Sequence, residues 1–217
     1  MYTSFEKYLP WFILREIPFI GNTMYKKLIH QFLSPEKVLN STEAQLKKID
    51  KISEKIIFGI IHHKKFQDKA KKELDRILNK NIKIVTLTDS SYPALLKQIH
   101  DPPPFLTYLG ELDNAAPCIS IVGSRRATSY GLNTSENLSY KLAKKGFQIV
   151  SGMARGIDSR AHKGALRAQG KTIAVLGSGI NKIYPRENKY LFQAIAEKGI
   201  VFSEFKLDTK PFPSNFP

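Results

Sequence analysis

Apolar positions along this chain follow two different periods, and the change falls near residue 80. From Leu9 to about Lys80 they recur at the spacing of a helix face, and no run alternates as a half-buried strand does. Pro18-Phe19-Ile20-Gly21 interrupts two apolar helical stretches. Ser34 followed by Pro35 predicts a helix start, with Ser34 as N-cap and Pro35 at the first helical position. Ser41 or Thr42 caps the next helix, with Glu43 in its first turn, and Gln67 to Asn79 forms a charged amphipathic helix.

Beyond Ile82 short β-branched runs take over. Ile82 to Leu87 predicts a strand, and Pro102-Pro103-Pro104 marks a turn. Then strands and helices alternate. Strands are predicted at Ile119–Val122, Phe147–Val150, Thr172–Leu176 and Ile200–Phe202, and helices at Asn133–Lys145, Asp158–Ala168 and Glu187–Lys198, each helix ending at a glycine. Such alternation implies right-handed crossovers and a parallel sheet. The expected architecture is therefore α/β: a parallel sheet with helices on both faces, preceded by a small all-α module. The corresponding division is residues 1–80 and residues 81–217.

Charge adds a partner class. The chain carries 34 Lys+Arg against 19 Asp+Glu, a net +15. Residues 1–80 hold 16 against 9 and the remainder 18 against 10, so both parts can face the same polyanion. Nucleic acid is the commonest such partner, although lysine outnumbers arginine and a general lysine bias explains part of the excess. Cys118 is the single cysteine, which excludes an internal disulfide and a cysteine-rich zinc site. No window reaches the ~18 apolar residues of a membrane helix, and no signal peptide is visible. A cytoplasmic protein is expected.

The strand ends carry the candidate chemistry. Gly123-Ser124-Arg125-Arg126 follows the first strand of the alternating series, Ser151-Gly152-Met153-Ala154-Arg155-Gly156 the second, and Gly177-Ser178-Gly179 the third. In an open parallel sheet these turns lie side by side at the carboxyl ends of the strands. Glycine lets backbone N–H groups approach a ligand, and a following helix N-terminus adds partial positive charge. Gly and Ser are also what βα turns require on any account. Three such loops, two of them with arginine, point to phosphate, and the guanidinium of Arg125 can grip it bidentately. Arg126 is expected instead to face solvent or an acidic neighbour.

Other chemistries lack their signatures. The G-x-G-x-x-G fingerprint is absent and no acidic residue ends the second strand to hold a ribose, so no dinucleotide cofactor is expected. P-loop spacing is absent too, and no metal site or catalytic residue is assigned. Asp158, His162 and Ser151 suggest a triad on paper, but no nucleophile elbow accompanies them and Asp158 reads as a helix N-cap.

The same strings carry a family resemblance. Val122-Gly123-Ser124-Arg125-Arg126-Ala127-Thr128-Ser129-Tyr130-Gly131 resembles the first signature of the DNA-processing (DprA/Smf) family, and Ser151 through His162 resembles the second. Ala174-Val175-Leu176-Gly177-Ser178-Gly179, with Ile183-Tyr184-Pro185 and Asn188, resembles the third. Ser203-Glu204-Phe205 and Pro211-Phe212-Pro213 continue the order. Upstream, Asp89, Tyr92-Pro93, Leu95-Leu96, Ile99, Asp101-Pro102-Pro103 and Gly110 resemble the family's opening segment.

The resemblance runs from about residue 83 to 217. It implies a Rossmann-like domain that binds single-stranded DNA, protects it during natural transformation and helps load the RecA recombinase, without enzymatic activity or cofactor. It also implies a phosphate pocket at Gly123, Ser124, Arg125, Ser151, Gly152, Gly177, Ser178 and Gly179, with Lys189 as a further backbone contact. Relatives continue past Pro217 into further strands and a dimer surface, so the expectation for this chain is a domain incomplete at its C-terminal side, a sheet with an exposed edge, and a homodimer contact left open. The N-terminal helices resemble a helix-hairpin-helix or SAM-like module: Ile17 to Gly21 has the hairpin shape, a second copy near Ile49-Asp50-Lys51-Ile52 lacks the glycine, and a protein-contact role stands beside a DNA one. Two rivals remain. One is a Lonely Guy-type phosphoribohydrolase, although no P-G-G-x-G-T-x-x-E stretch is present. The other is an inert remnant.

Overall fold

The computed structural model describes residues 4–113 and 116–216, which form two compact units. One comprises Met1–Ile82 with Thr86–Phe105, and the other Lys83–Val85 with Leu106–Pro217.

The first unit is helical: α1 (Ser4–Glu16), α2 (Asn22–Phe32), α3 (Pro35–Leu39), α4 (Glu43–Leu46), α5 (Glu54–Ile61), α6 (Gln67–Leu78) and, further on, the short α7 (Ala94–Lys97). Side-chain caps set several starts. Ser34 Oγ accepts the Lys37 N–H, and Thr42 and Gln45 form a reciprocal capping box. Ser41, the other candidate cap, instead donates its hydroxyl to the Val38 carbonyl at 2.6 Å. Between α1 and α2 lies the predicted break at residues 18–21. Apolar stripes of these helices meet in a core that includes Phe12, Leu14, Leu28, Leu46, Ile60 and Leu74. Tyr25 is buried there, stacks on Trp11 and donates its hydroxyl to the Trp11 carbonyl at 3.0 Å, so no polar atom of its ring is stranded.

The sheet contains β1 (Lys83–Thr86), β2 (Phe105–Gly110), β3 (Cys118–Ser120), β4 (Gln148–Ser151), β5 (Thr172–Leu176) and β6 (Ile200–Ser203), in the spatial order β1-β2-β6-β5-β4-β3. Helices α8 (Ser129–Lys144), α9 (Ile157–Arg167) and α10 (Lys189–Lys198) supply the crossovers. Strands β3 to β6 are parallel, as expected. Strand β2 was not anticipated and makes the sheet mixed: it runs antiparallel to β6, with Thr107 opposite Ser203 and Gly110 opposite Ile200. The fold class is the expected α/β.

The strand order also decides where the helices go. Each crossover steps to the next strand in the same direction. Right-handed connections then put every helix on the same side, and α9 indeed packs between α8 and α10. Helices α8, α9 and α10 thus lie side by side on one face of the sheet. On that face Ile149 sits among Ala143, Ala161, Ala165 and Ala168. On the opposite face Val122 is 69% exposed and Val175 49%.

Small residues let α8 and α9 close up. A Cβ on Gly164 would lie 2.2 Å from the Glu136 carbonyl oxygen and 2.9 Å from Ser139 Cβ. Helix α9 is therefore seated on the backbone of α8, and the loops at the amino ends of both helices are held at a fixed separation.

Candidate nucleic-acid interface

Parallel strands deliver their carboxyl ends to one rim, and the three glycine loops meet there. Gly156, with φ +76°, passes so close to the first loop that a Cβ would lie 2.2 Å from the Ser124 carbonyl oxygen. A Cβ on Gly123 would in turn meet Ile157 Cγ1 at 2.8 Å. Only residues without side chains fit at these two crossings, and they weld the first loop to the start of α9. Gly177 of the third loop lies under the ring of Phe216, while Asn215 Nδ2 donates to the Gly177 carbonyl at 3.0 Å.

Two concavities result. One of about 580 Å³ is lined by Ser124, Arg125, Arg126, Tyr184, Pro211, Pro213 and Phe216. The other, of about 460 Å³, includes Gly123, Arg125, Ser151, Gly152, Asp158, Gly177 and Phe216 in its wall. Arg125 and Phe216 belong to both and form the ridge between them, with the guanidinium 5.1 Å from the ring centroid.

The predicted residues divide into three sets. Gly123, Ser124, Arg125, Ser151, Gly152 and Gly177 all line one or both hollows. Ser178 and Gly179 face inward: Ser178 Oγ donates to the Lys182 carbonyl at 2.8 Å, and Gly179 N–H donates to the Thr209 carbonyl at 3.0 Å. A Cβ on Gly179 would lie 2.0 Å from the Lys206 carbonyl oxygen, so this glycine serves the packing of the segment after β6. Lys189 is exposed at the first residue of α10 and lines neither hollow.

Within the second loop two donors are already engaged. Gly152 N–H donates to Asp158 Oδ2 at 3.0 Å, and Ser151 Oγ donates to the Ile121 carbonyl at 2.7 Å. Asp158 is thus not the expected N-cap. Gly156 takes that position, Asp158 is the second helical residue, and its carboxylate reaches back to the loop. Nor do Ser151, Asp158 and His162 form a relay. His162 is buried, its Nδ1 lies 2.7 Å from Thr172 Oγ1, and burial pushes its pKa down to about 3. The Thr172 hydroxyl donates to the Ile149 carbonyl, so it can only accept from the ring, and His162 is a structural group held neutral.

Cationic groups at the rim differ in the same way. Arg155 pairs with Glu187 through Nε and Nη2, which raises the guanidinium pKa and lowers that of the carboxylate. Further along α9, away from the rim, Arg160 and Arg167 share Glu136 at 2.9 and 2.8 Å. Arg125 and Arg126 have no carboxylate partner among the described residues, and both line the larger hollow with Tyr184 and Phe216. Arg126 and Phe216 are the additions that sequence reasoning left out of the site. Arg126 was legible as a neighbour of Arg125. Phe216 carried no signal, because only the chain reversal after β6 brings it over Gly177.

The DNA recombination-mediator protein A family matches residues 83–217. Protein Smf of Synechocystis sp. is 37% identical over 212 residues, which cover 95% of this chain and 53% of the relative. DNA processing protein DprA of Bacillus subtilis is 36% identical over 70% of this chain and 52% of its own length. The chain spans about half the length of these curated relatives. Among solved structures, DNA processing protein A from Streptococcus pneumoniae superposes on the whole chain with a TM-score of 0.81 and 28% identity, over 72% of its own length. DNA processing protein A from Helicobacter pylori, solved for its single-stranded DNA binding mode, superposes on 62% of this chain and 61% of its own with a TM-score of 0.55 and 32% identity. With its glycine loops gathered at one sheet rim and the family match covering the whole of that sheet, the chain belongs to the DNA recombination-mediator protein A family.

Proposed function

We propose that the rim binds single-stranded DNA through its backbone, and that in natural transformation the protein protects incoming strands and hands them to the RecA recombinase. Arg125 is the central contact. Gly123, Ser124, Ser151, Gly152 and Gly177 shape the floor, and Arg126 supplies a second cation. The observation that carries this reading is the pairing of Arg125 and Arg126, without carboxylate partners among the described residues, with the rings of Tyr184 and Phe216 around one hollow. Guanidinium groups meet phosphates, and rings stack bases of any sequence. A duplex hides its base faces, so single strands are preferred.

A relative solved for its single-stranded DNA binding mode supports the same ligand. In this reading residues 81–217 bind DNA and residues 1–80 form a helical module of their own. Contact with a second copy belongs to the whole-length protein in this reading, and the reaction is binding without bond cleavage.

Fluorescence anisotropy of a short oligo-dT strand against a duplex of equal length, at two salt concentrations, tests it. Single-strand preference and a steep salt dependence are expected. Equal affinity for the duplex, or release of base from AMP by the purified protein, defeats it.

A further inference from the structure

Exposed rings and cations meet a second time, on the helical unit. Gly59 of α5 seats Ile17 against the helix backbone, where a Cβ would lie 2.5 Å from Ile17 Cγ2. That close seat lays the α1–α2 connection along α5. Two residues on, Phe19 adopts φ +67°, a left-handed backbone that bulky side chains rarely take, and its ring is 69% exposed. The ammonium of Lys55, from α5, lies 5.3 Å from the centre of that ring.

One turn along α5, Phe58 is 56% exposed. The Lys65 ammonium lies 5.3 Å from its ring centre, and the His62 ring stacks on it at 4.1 Å. His62 is fixed there by the 2.9 Å contact of its Nδ1 with the Phe58 carbonyl. Lys51 and Lys64 are exposed nearby, with Glu54 as the exposed acid of the same helix. Lys51, Lys55, Lys64 and Lys65 have no carboxylate partner among the described residues, whereas Lys27, Lys47 and Lys69 of the same unit are paired with Asp50, Glu43 and Glu16.

A protein-docking patch concentrates apolar surface at its centre and keeps charge away from it. Here each exposed ring already carries a cation, and the unit's charge balance is positive. Exposed rings beside unpaired ammonium groups fit an unstacked base followed by its phosphate. We propose that Phe19, Lys55, Phe58, His62 and Lys65 form a second site for single-stranded nucleic acid, separate from the rim. Bases stack on Phe19 and Phe58, and phosphates meet Lys55 and Lys65.

The test uses the full chain and two probes of one length, oligo-dT and a strand whose sugars are all abasic. The double variant Phe19→Ala with Phe58→Ala is expected to bind oligo-dT roughly fivefold or more weakly and the abasic strand as before, since a stacked base contributes about 1–3 kcal/mol. Both rings are exposed, and circular dichroism confirms that the variant folds. Photo-crosslinks from 5-iodo-deoxyuridine strands are expected on peptides containing Phe19 or Phe58, and oligo-U in place of oligo-dT shows whether RNA is held equally. Unchanged oligo-dT affinity, or equal loss for both probes, overturns the proposal. Arg125→Ala, measured in parallel, reports on the rim alone: a loss there with none in the double variant leaves the rim reading standing and removes this one. Self-association that the double variant abolishes without a change in oligo-dT affinity reassigns the surface to a second copy of the chain.

Discussion

Asp158 accepts the Gly152 N–H at 3.0 Å, so the second rim loop already holds a carboxylate where a phosphate was expected to sit. The first loop then supplies the cations for a ligand, with the Asp158 carboxylate in the wall of the smaller hollow. Asp158→Asn keeps an oxygen acceptor and removes that charge. We expect oligo-dT to bind several-fold more tightly at low salt, with the gain fading as salt rises. Asp158→Ala strands the N–H and is expected to lower stability by about 1–3 kcal/mol in urea unfolding.

Arg125 contributes shape as well as charge. Arg125→Ala is expected to weaken oligo-dT binding by at least ~1 kcal/mol, the scale of a charge-assisted hydrogen bond. Arg125→Lys keeps the charge but loses both the planar fork and the stacking on Phe216. It should fall between wild type and the alanine variant by anisotropy, and unchanged affinity in both variants removes Arg125 from the interface.

Gly164 is a point of close approach between α8 and α9. Gly164→Ala must push the Glu136 carbonyl away from a Cβ 2.2 Å distant. The expected loss is about 1–3 kcal/mol despite the better helix propensity of alanine. Thermal unfolding reads it directly, and a rise in Tm contradicts the packing described for this pair.

His162 gives the fold a defined acid sensitivity. Its pKa is about 3 when folded, against 6.5 for an unburied ring. Above pH 6.5 both states are neutral and the group adds no pH dependence. Below pH 6.5 the unfolded chain takes up a proton that the folded chain refuses, so stability falls by about 1.4 kcal/mol per pH unit until the native ring also titrates near pH 3. Urea unfolding at pH 7 and pH 5 should show about 2 kcal/mol more acid loss in wild type than in His162→Asn. Equal losses contradict a neutral buried ring.

Much of the alternating half was legible because each strand is a β-branched run and each helix stops at a glycine. Strand β2 was not. Phe105 to Gly110 follows three prolines, which read as a turn, and its partner β6 lies far along the chain, so no local pattern announces the pairing. The rim loops were legible as loops, but the side each presents was not. Ser178 and Gly179 turn inward because the segment from Lys206 to Thr209 packs on them, and that segment has no periodicity to read. Asp158 looked like a cap because it opens an apolar helical run. Gly156 takes the cap position because its φ of +76° suits only glycine, which moves the helix start forward and frees the carboxylate.

The antiparallel union of β2 with β6 bears on how the chain acquires its shape. Thr107 Oγ1 donates to the Ser203 carbonyl across 96 residues of sequence. During synthesis β2 leaves the ribosome with β1 already made on one side, but the N–H and C=O groups of its other edge wait while the strand–helix–strand turns that end in β6 are still being made. Closure of that long loop comes late and slowly, because the chain entropy is lost before the ladder forms. The interval is when this protein is most open to strand exchange with a neighbour or to capture by a chaperone.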